Sequence, residues 1–142
     1  MQKIGFTGTR KGMTIPQELS FKEYLLKISI SEFHHGDCVG SDLEAHNIIN
    51  KDFNCDIIIH PPKNNKFRAF CYKEDNSKHK ILEEKEYLDR NNDIVDNCDI
   101  LVAIPDTKYQ EFRSGTWSTI RYGLKQGKKV IIINPDGEII EQ

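Results

Sequence analysis

Three short glycine-bearing stretches hold the residues best suited to chemistry. They are Gly8-Thr9-Arg10, Gly36-Asp37 running to Gly40-Ser41-Asp42, and Arg113-Ser114-Gly115-Thr116. Hydroxyls and arginines among glycines suit a phosphate, because guanidinium and hydroxyl groups donate to its oxygens and glycine lets a ligand approach the backbone. The second and third stretches each read as a glycine-rich turn running into a helix. Unpaired N–H groups and the helix dipole then point at one spot and draw an anion. Asp37 and Asp42 are the candidate catalytic residues. Their carboxylates suit sugar hydroxyls or general-base work. The plainer alternatives are that Gly36 and Gly40 only shape a tight connection, that Asp42 only faces the helix dipole, and that Arg10 and Arg113 are only solvated.

Other chemistries find less support. Gly8-Thr-Arg-Lys-Gly12 is neither a dinucleotide fingerprint nor a Walker loop. Cys38, Cys55, Cys71 and Cys98 are widely spaced with no C-x-x-C pair, which reads as free thiols in a reducing cytosol and argues against zinc. His35 and His60 sit at strand ends, but no carboxylate spacing supports a metal pair there, so hydrogen-bonded histidines are expected. Cys38 has no partner histidine identifiable in the sequence and is taken as a bystander. Neither a metal nor a cofactor is called for. The chain of 142 residues has 30% charged residues and a net charge of -2, which argues against nucleic acid and gives no pull toward a membrane. No apolar run reaches membrane-spanning length and no signal peptide opens the chain, so a cytoplasmic protein is expected.

These residues need a scaffold that brings three turns together. Lys3–Thr7, the stretch ending near Phe33, Asp56–His60, Asp99–Ile104 and Lys129–Ile133 read as strands. Thr14-Ile-Pro-Gln17 opens a helix with a capping box, and Phe21, Tyr24, Leu25 and Ile28 form its apolar face. Ser41-Asp-Leu-Glu44 reads as a second capping box, on a helix burying Leu43, Ile48 and Ile49. A third helix from about Glu84 carries Tyr87, Leu88, Ile94 and Val95. Asn91 lies within that stripe and Arg90 beside it; a polar residue there is bonded in the core or turned toward a site. The fourth helix buries Trp117, Ile120 and Leu124 and closes at Gly127. Strands alternating with helices predict one α/β domain over 1–142, a Rossmann-like, doubly wound sheet of five mainly parallel strands with helices on both faces. Ligands of such sheets lie at the C-terminal ends of the strands, where strand order reverses. The polar stretch at about 63–84 fits no element and reads as a lid, a subunit contact or an insert. Its Phe67, Phe70 and Tyr72 beside Lys66 and Arg68 give a weak signal for nucleic acid.

Phe6-Thr-Gly-Thr-Arg10, Gly36-Asp-Cys-Val-Gly-Ser-Asp42, Tyr87-Leu-Asp-Arg-Asn91 and Arg113-Ser-Gly-Thr116 together resemble the SLOG superfamily. That group contains the lonely-guy phosphoribohydrolases, the DNA-processing protein A domain and nucleotide-sensing domains of antiphage systems. The likeness is greatest to its small stand-alone bacterial and phage members. The resemblance implies a nucleotide or nucleotide-derived ligand, bound by a sensor or sequestering domain in phage defence or counter-defence. It also implies two rivals, a nucleoside-monophosphate N-glycosidase and a single-stranded DNA binder, and suggests a homodimer. The lonely-guy enzymes carry P-G-G-x-G-T-x-x-E. Ser114-Gly-Thr116 matches its G-T part, while Thr119 stands in the place of the glutamate. The implied ligand-binding set is Gly8, Thr9, Arg10, Gly36, Asp37, Gly40, Ser41, Asp42, Arg90, Asn91, Arg113, Ser114, Gly115 and Thr116.

Overall fold

The computed structural model describes residues 1–72 and 75–142; Lys73 and Glu74, within the polar stretch, lie outside the described residues. The strands are β1 (Gln2–Gly8), β2 (Ile30–His35), β3 (Asp56–Ile59), β4 (His79–Ile81), β5 (Ile100–Ile104), β6 (Lys129–Ile133) and β7 (Ile139–Glu141). The helices are α1 (Ile15–Leu26), α2 (Ser41–Asp52), α3 (Tyr87–Asp96) and α4 (Gly115–Lys125). The sheet order is β4-β3-β2-β1-β5-β6-β7, parallel throughout except for β7, which runs antiparallel to β6.

The doubly wound fold is as expected, but seven strands form the sheet where five were read. The extra two are edge strands of three residues each. At that length no alternation is legible. β4 comes from the polar stretch, which also forms a 3-10 turn at Asn65–Phe67. β7 follows the Asn134–Gly137 turn and pairs back on β6.

Every residue of β5 is buried, and its side chains alternate between two cores. Ile100, Val102 and Ile104 join Phe6, Phe21 and Phe33 on the α1/α2 side. Leu101 and Ala103 join Val95, Trp117, Ile120 and Val130 on the α3/α4 side. Phe6 meets Phe21 edge-on at 5.5 Å between ring centroids, a favoured aromatic geometry. The Thr14 and Gln17 side chains close the capping box of α1. At the end of α4, Gly127 adopts φ +73 while Lys128 N–H donates to Gly123 O, a Schellman closure.

Three helix faces depart from the expected pattern. Leu88 and Leu124 are exposed and Leu43 is only half-buried. On α3 it is Arg90, read as lying beside the stripe, that is buried. On α4 Gly123 takes the packed position, where an added Cβ would lie 3.0 Å from Leu101.

All five histidines are buried. His34 bridges Glu32 and His60 at 2.8 Å each. The Asp37 N–H donates to His35 Nδ1, so His35 carries its proton on Nε2 and donates it to His46 Nδ1 at 2.9 Å. Burial lowers the pKa of His34 and His35, and takes His46 to about 4 and His60 to about 3. These rings are neutral in the fold, while the unfolded chain takes up protons near pH 6.5. Their contribution is therefore full above about pH 6.5 and is lost as pH falls toward the folded values. Asp42 works in the opposite sense, because burial pushes its carboxyl up to about 6 and protonation relieves it. Four imidazoles outweigh one carboxyl. The denaturant midpoint is expected to fall steadily from about pH 6.5 to about pH 4; a flat midpoint across that window would contradict the buried neutral histidines.

Candidate functional site

Strand order reverses between β1 and β5, and the loops after β1, β2 and β5 converge there. They surround a cleft of about 500 Å³. Of the expected residues, Gly8, Thr9, Arg10, Gly36, Asp42, Arg90, Asn91, Arg113, Ser114, Gly115 and Thr116 line it. Asp37, Gly40 and Ser41 do not. Lys11, Cys38, Tyr87, Ile94, Asp106 and Glu111 also line the cleft. Tyr87 and Ile94 fall on the helical face that carries Asn91, so the α3 periodicity held that signal. Lys11 and Asp106 pair at 3.0 Å across two loops, which no local pattern announces.

The turn after β2 is built differently from its sequence reading. The helix cap is Gly40, with no side-chain cap, so the Ser41–Glu44 capping box does not form. Ser41 instead donates both its hydroxyl and its N–H to Thr9 O, at 2.7 and 3.1 Å. Glu44 accepts the Met13 N–H at 2.7 Å. Both tie the first loop to α2. The expected room for a ligand at Gly36 and Gly40 is taken by protein: a Cβ at Gly40 would lie 2.2 Å from Arg10 O, and one at Gly36 would lie 2.6 Å from the Arg90 guanidinium. Gly40 also sits at φ +84, a region side chains resist.

The two carboxylates part company. Asp37 is fully buried at φ +58 and accepts from Arg68 Nε at 2.9 Å and from Cys71 N–H at 2.8 Å. It is spent on structure. Asp42 is 6% exposed, lies on the cleft wall and accepts the Cys38 N–H at 3.1 Å. Thr119, in the place of the family's glutamate, is buried and donates to Gly115 O at 2.9 Å. It is outside the cleft lining.

Arg90 is the buried cation of the site. Its guanidinium donates to Gly36 O, to His60 O at 3.2 Å and to Asn91 Oδ1 at 2.7 Å. Its backbone and amide partners satisfy donors without cancelling charge. No carboxylate among the described residues lies within 4.0 Å of it. Cys38 is 3.8 Å from Arg90 Nη2, yet burial raises its thiol pKa, so it is no ready nucleophile.

At α4, Ser114 accepts the Trp117 N–H at 3.2 Å. The N–H groups of Gly115 and Thr116 have no acceptor among the described residues. A Cβ at Gly115 would meet nothing within 4 Å. This helix start opens on the cleft, with Arg113 exposed beside it.

His35, His46 and Cys71 bring three ligand-type atoms within 4.8 Å of one another. A metal would need the lone pair of His35 Nε2, but the Asp37 N–H on Nδ1 keeps the proton there. Burial and the Asp37 carboxylate also raise the Cys71 thiol pKa. The cluster fits a hydrogen-bonded relay better than a ligand set. No helix among the described residues is long and apolar enough to cross a membrane. All four cysteines are free thiols. No family model, curated protein or solved structure matches the chain.

The glycines of the two turns are expected to respond oppositely to alanine. Gly40→Ala meets both positive φ and the Arg10 carbonyl, and should cost roughly 2–4 kcal/mol of stability. Gly115→Ala should leave stability within about 0.5 kcal/mol. Equal denaturation midpoints for the two variants would contradict this geometry.

Proposed function

We propose that the cleft binds a nucleotide or nucleotide-derived small molecule, as a sensor or sequestering domain in the phage defence or counter-defence setting that the SLOG resemblance implies. The observation that carries this reading is the open start of α4, with two unpaired N–H groups facing the cleft. A phosphate there would accept from the Gly115 and Thr116 amides and meet the helix dipole. Arg10 and Arg113 line the same cleft, and the buried charge of Arg90 lies at its wall. Asp42, with lone pairs left after the Cys38 bond, would accept from the ligand's sugar hydroxyls.

One observation supports the N-glycosidase as a second reading: Asp42 lines the cleft with its carboxyl pushed up to about 6 by burial. That is a range suited to general acid–base work near neutral pH. Cleavage needs a carboxylate near the ribose, because positive charge builds there. Thr119 cannot supply it and Asp37 is held by Arg68. Asp42 alone among the three could.

Calorimetric titration with nucleoside monophosphates and cyclic nucleotides, with chromatography for released base, tests both readings. Binding without release is expected. Gly115→Val should abolish it in a folded protein. Arg113→Ala should cost about 1 kcal/mol or less, more at low salt, because that side chain is exposed. Affinity should weaken as pH falls through about 6, where Asp42 takes a proton and its bonds from hydroxyls lose their charge assistance. Release that vanishes in Asp42→Asn would put the hydrolase first, and normal binding by folded Gly115→Val would remove the phosphate from α4.

A further inference from the structure

We propose that Phe67, in the polar stretch and outside the cleft lining, is a positioning residue that holds Arg10 ready for the ligand's phosphate. The inference rests on the reading of the cleft as an anion site. Arg10 is exposed near the start of the first loop. An arginine in that situation has rotamer entropy to lose on engaging a ligand. Here its guanidinium carbon lies 3.9 Å from the centroid of the Phe67 ring, well inside cation–π range. The backbone that carries the ring is itself fixed. Phe67 O accepts the Val39 N–H at 2.9 Å, and Ala69 N–H donates to Asp37 O at 2.7 Å. Arg68 pairs with buried Asp37 on the next residue. The Arg10 backbone is held at the same place by its close packing on Gly40. Arg10 thus rests by its backbone on the turn after β2 and by its guanidinium on the polar stretch bonded to that turn. Lys66 also approaches the ring, at 5.2 Å, but does not line the cleft.

The residue acts through Arg10, so a double-mutant cycle reads it. Wild type, Phe67→Leu, Phe67→Trp, Arg10→Ala and the Arg10→Ala/Phe67→Leu double variant are titrated with AMP, adenosine and inorganic phosphate. Phe67→Leu should weaken AMP and phosphate binding about 3- to 10-fold and leave adenosine unchanged. Phe67→Trp should restore the affinity, and Phe67→Leu should cost nothing further once Arg10 is gone. Equal loss for adenosine, additive losses in the double variant, or AMP binding by Phe67→Leu at the wild-type level would overturn the proposal while leaving the nucleotide reading in place. Wild type binding neither AMP nor phosphate would overturn both.

Discussion

A carboxylate with no access to water has to find donors inside the protein, and Asp37 meets this constraint at the base of the site. Arg68 supplies the opposite charge and Cys71 a backbone N–H. Removing one partner of such a pair strands a buried charge, which is far costlier than the net worth of the pair. The bond also fixes a shape. Asp37 holds φ +58, its N–H is committed to His35 and its carbonyl to Ala69. The turn from Gly36 to Asp42 is therefore locked from three sides before α2 begins.

The lock explains why the polar stretch exists as it does. Residues read as an insert carry Arg68 to Asp37, Phe67 to Arg10 and β4 to the sheet edge. They form a wall against the second turn. The histidine relay lies behind it, with its tautomers dictated by one N–H whose direction cannot reverse. Polar residues that resemble catalytic equipment are here consumed in hydrogen bonds, which frees the cleft to be defined by few groups.

Those few groups are electrically mixed. Asp42 and Arg90 line the buried side, where the arginine's charge opposes the rise that burial gives the Asp42 carboxyl, while the α4 start and the exposed arginines form the outer side. The proposed ligand, anionic at one end and rich in hydroxyl donors at the other, would match that division.

The sequence by itself determined what short-range physics controls. The Thr14–Gln17 box, the Gly127 closure, the Lys129–Ile133 strand and the α/β order all depend on partners within a few residues or on a run of apolar side chains. The convergence of the three glycine loops followed from that order. Tertiary structure decided which of several available partners each polar group took. Ser41 and Glu44 had the spacing of a capping box, yet bonded to Thr9 and Met13 across 32 and 31 residues. Asp37 went to Arg68, so of the two candidate carboxylates Asp42 lines the cleft; Arg90 turned inward beside an exposed Leu88. Side chains with two or more good partners choose by burial and packing, and those are set only when distant segments meet.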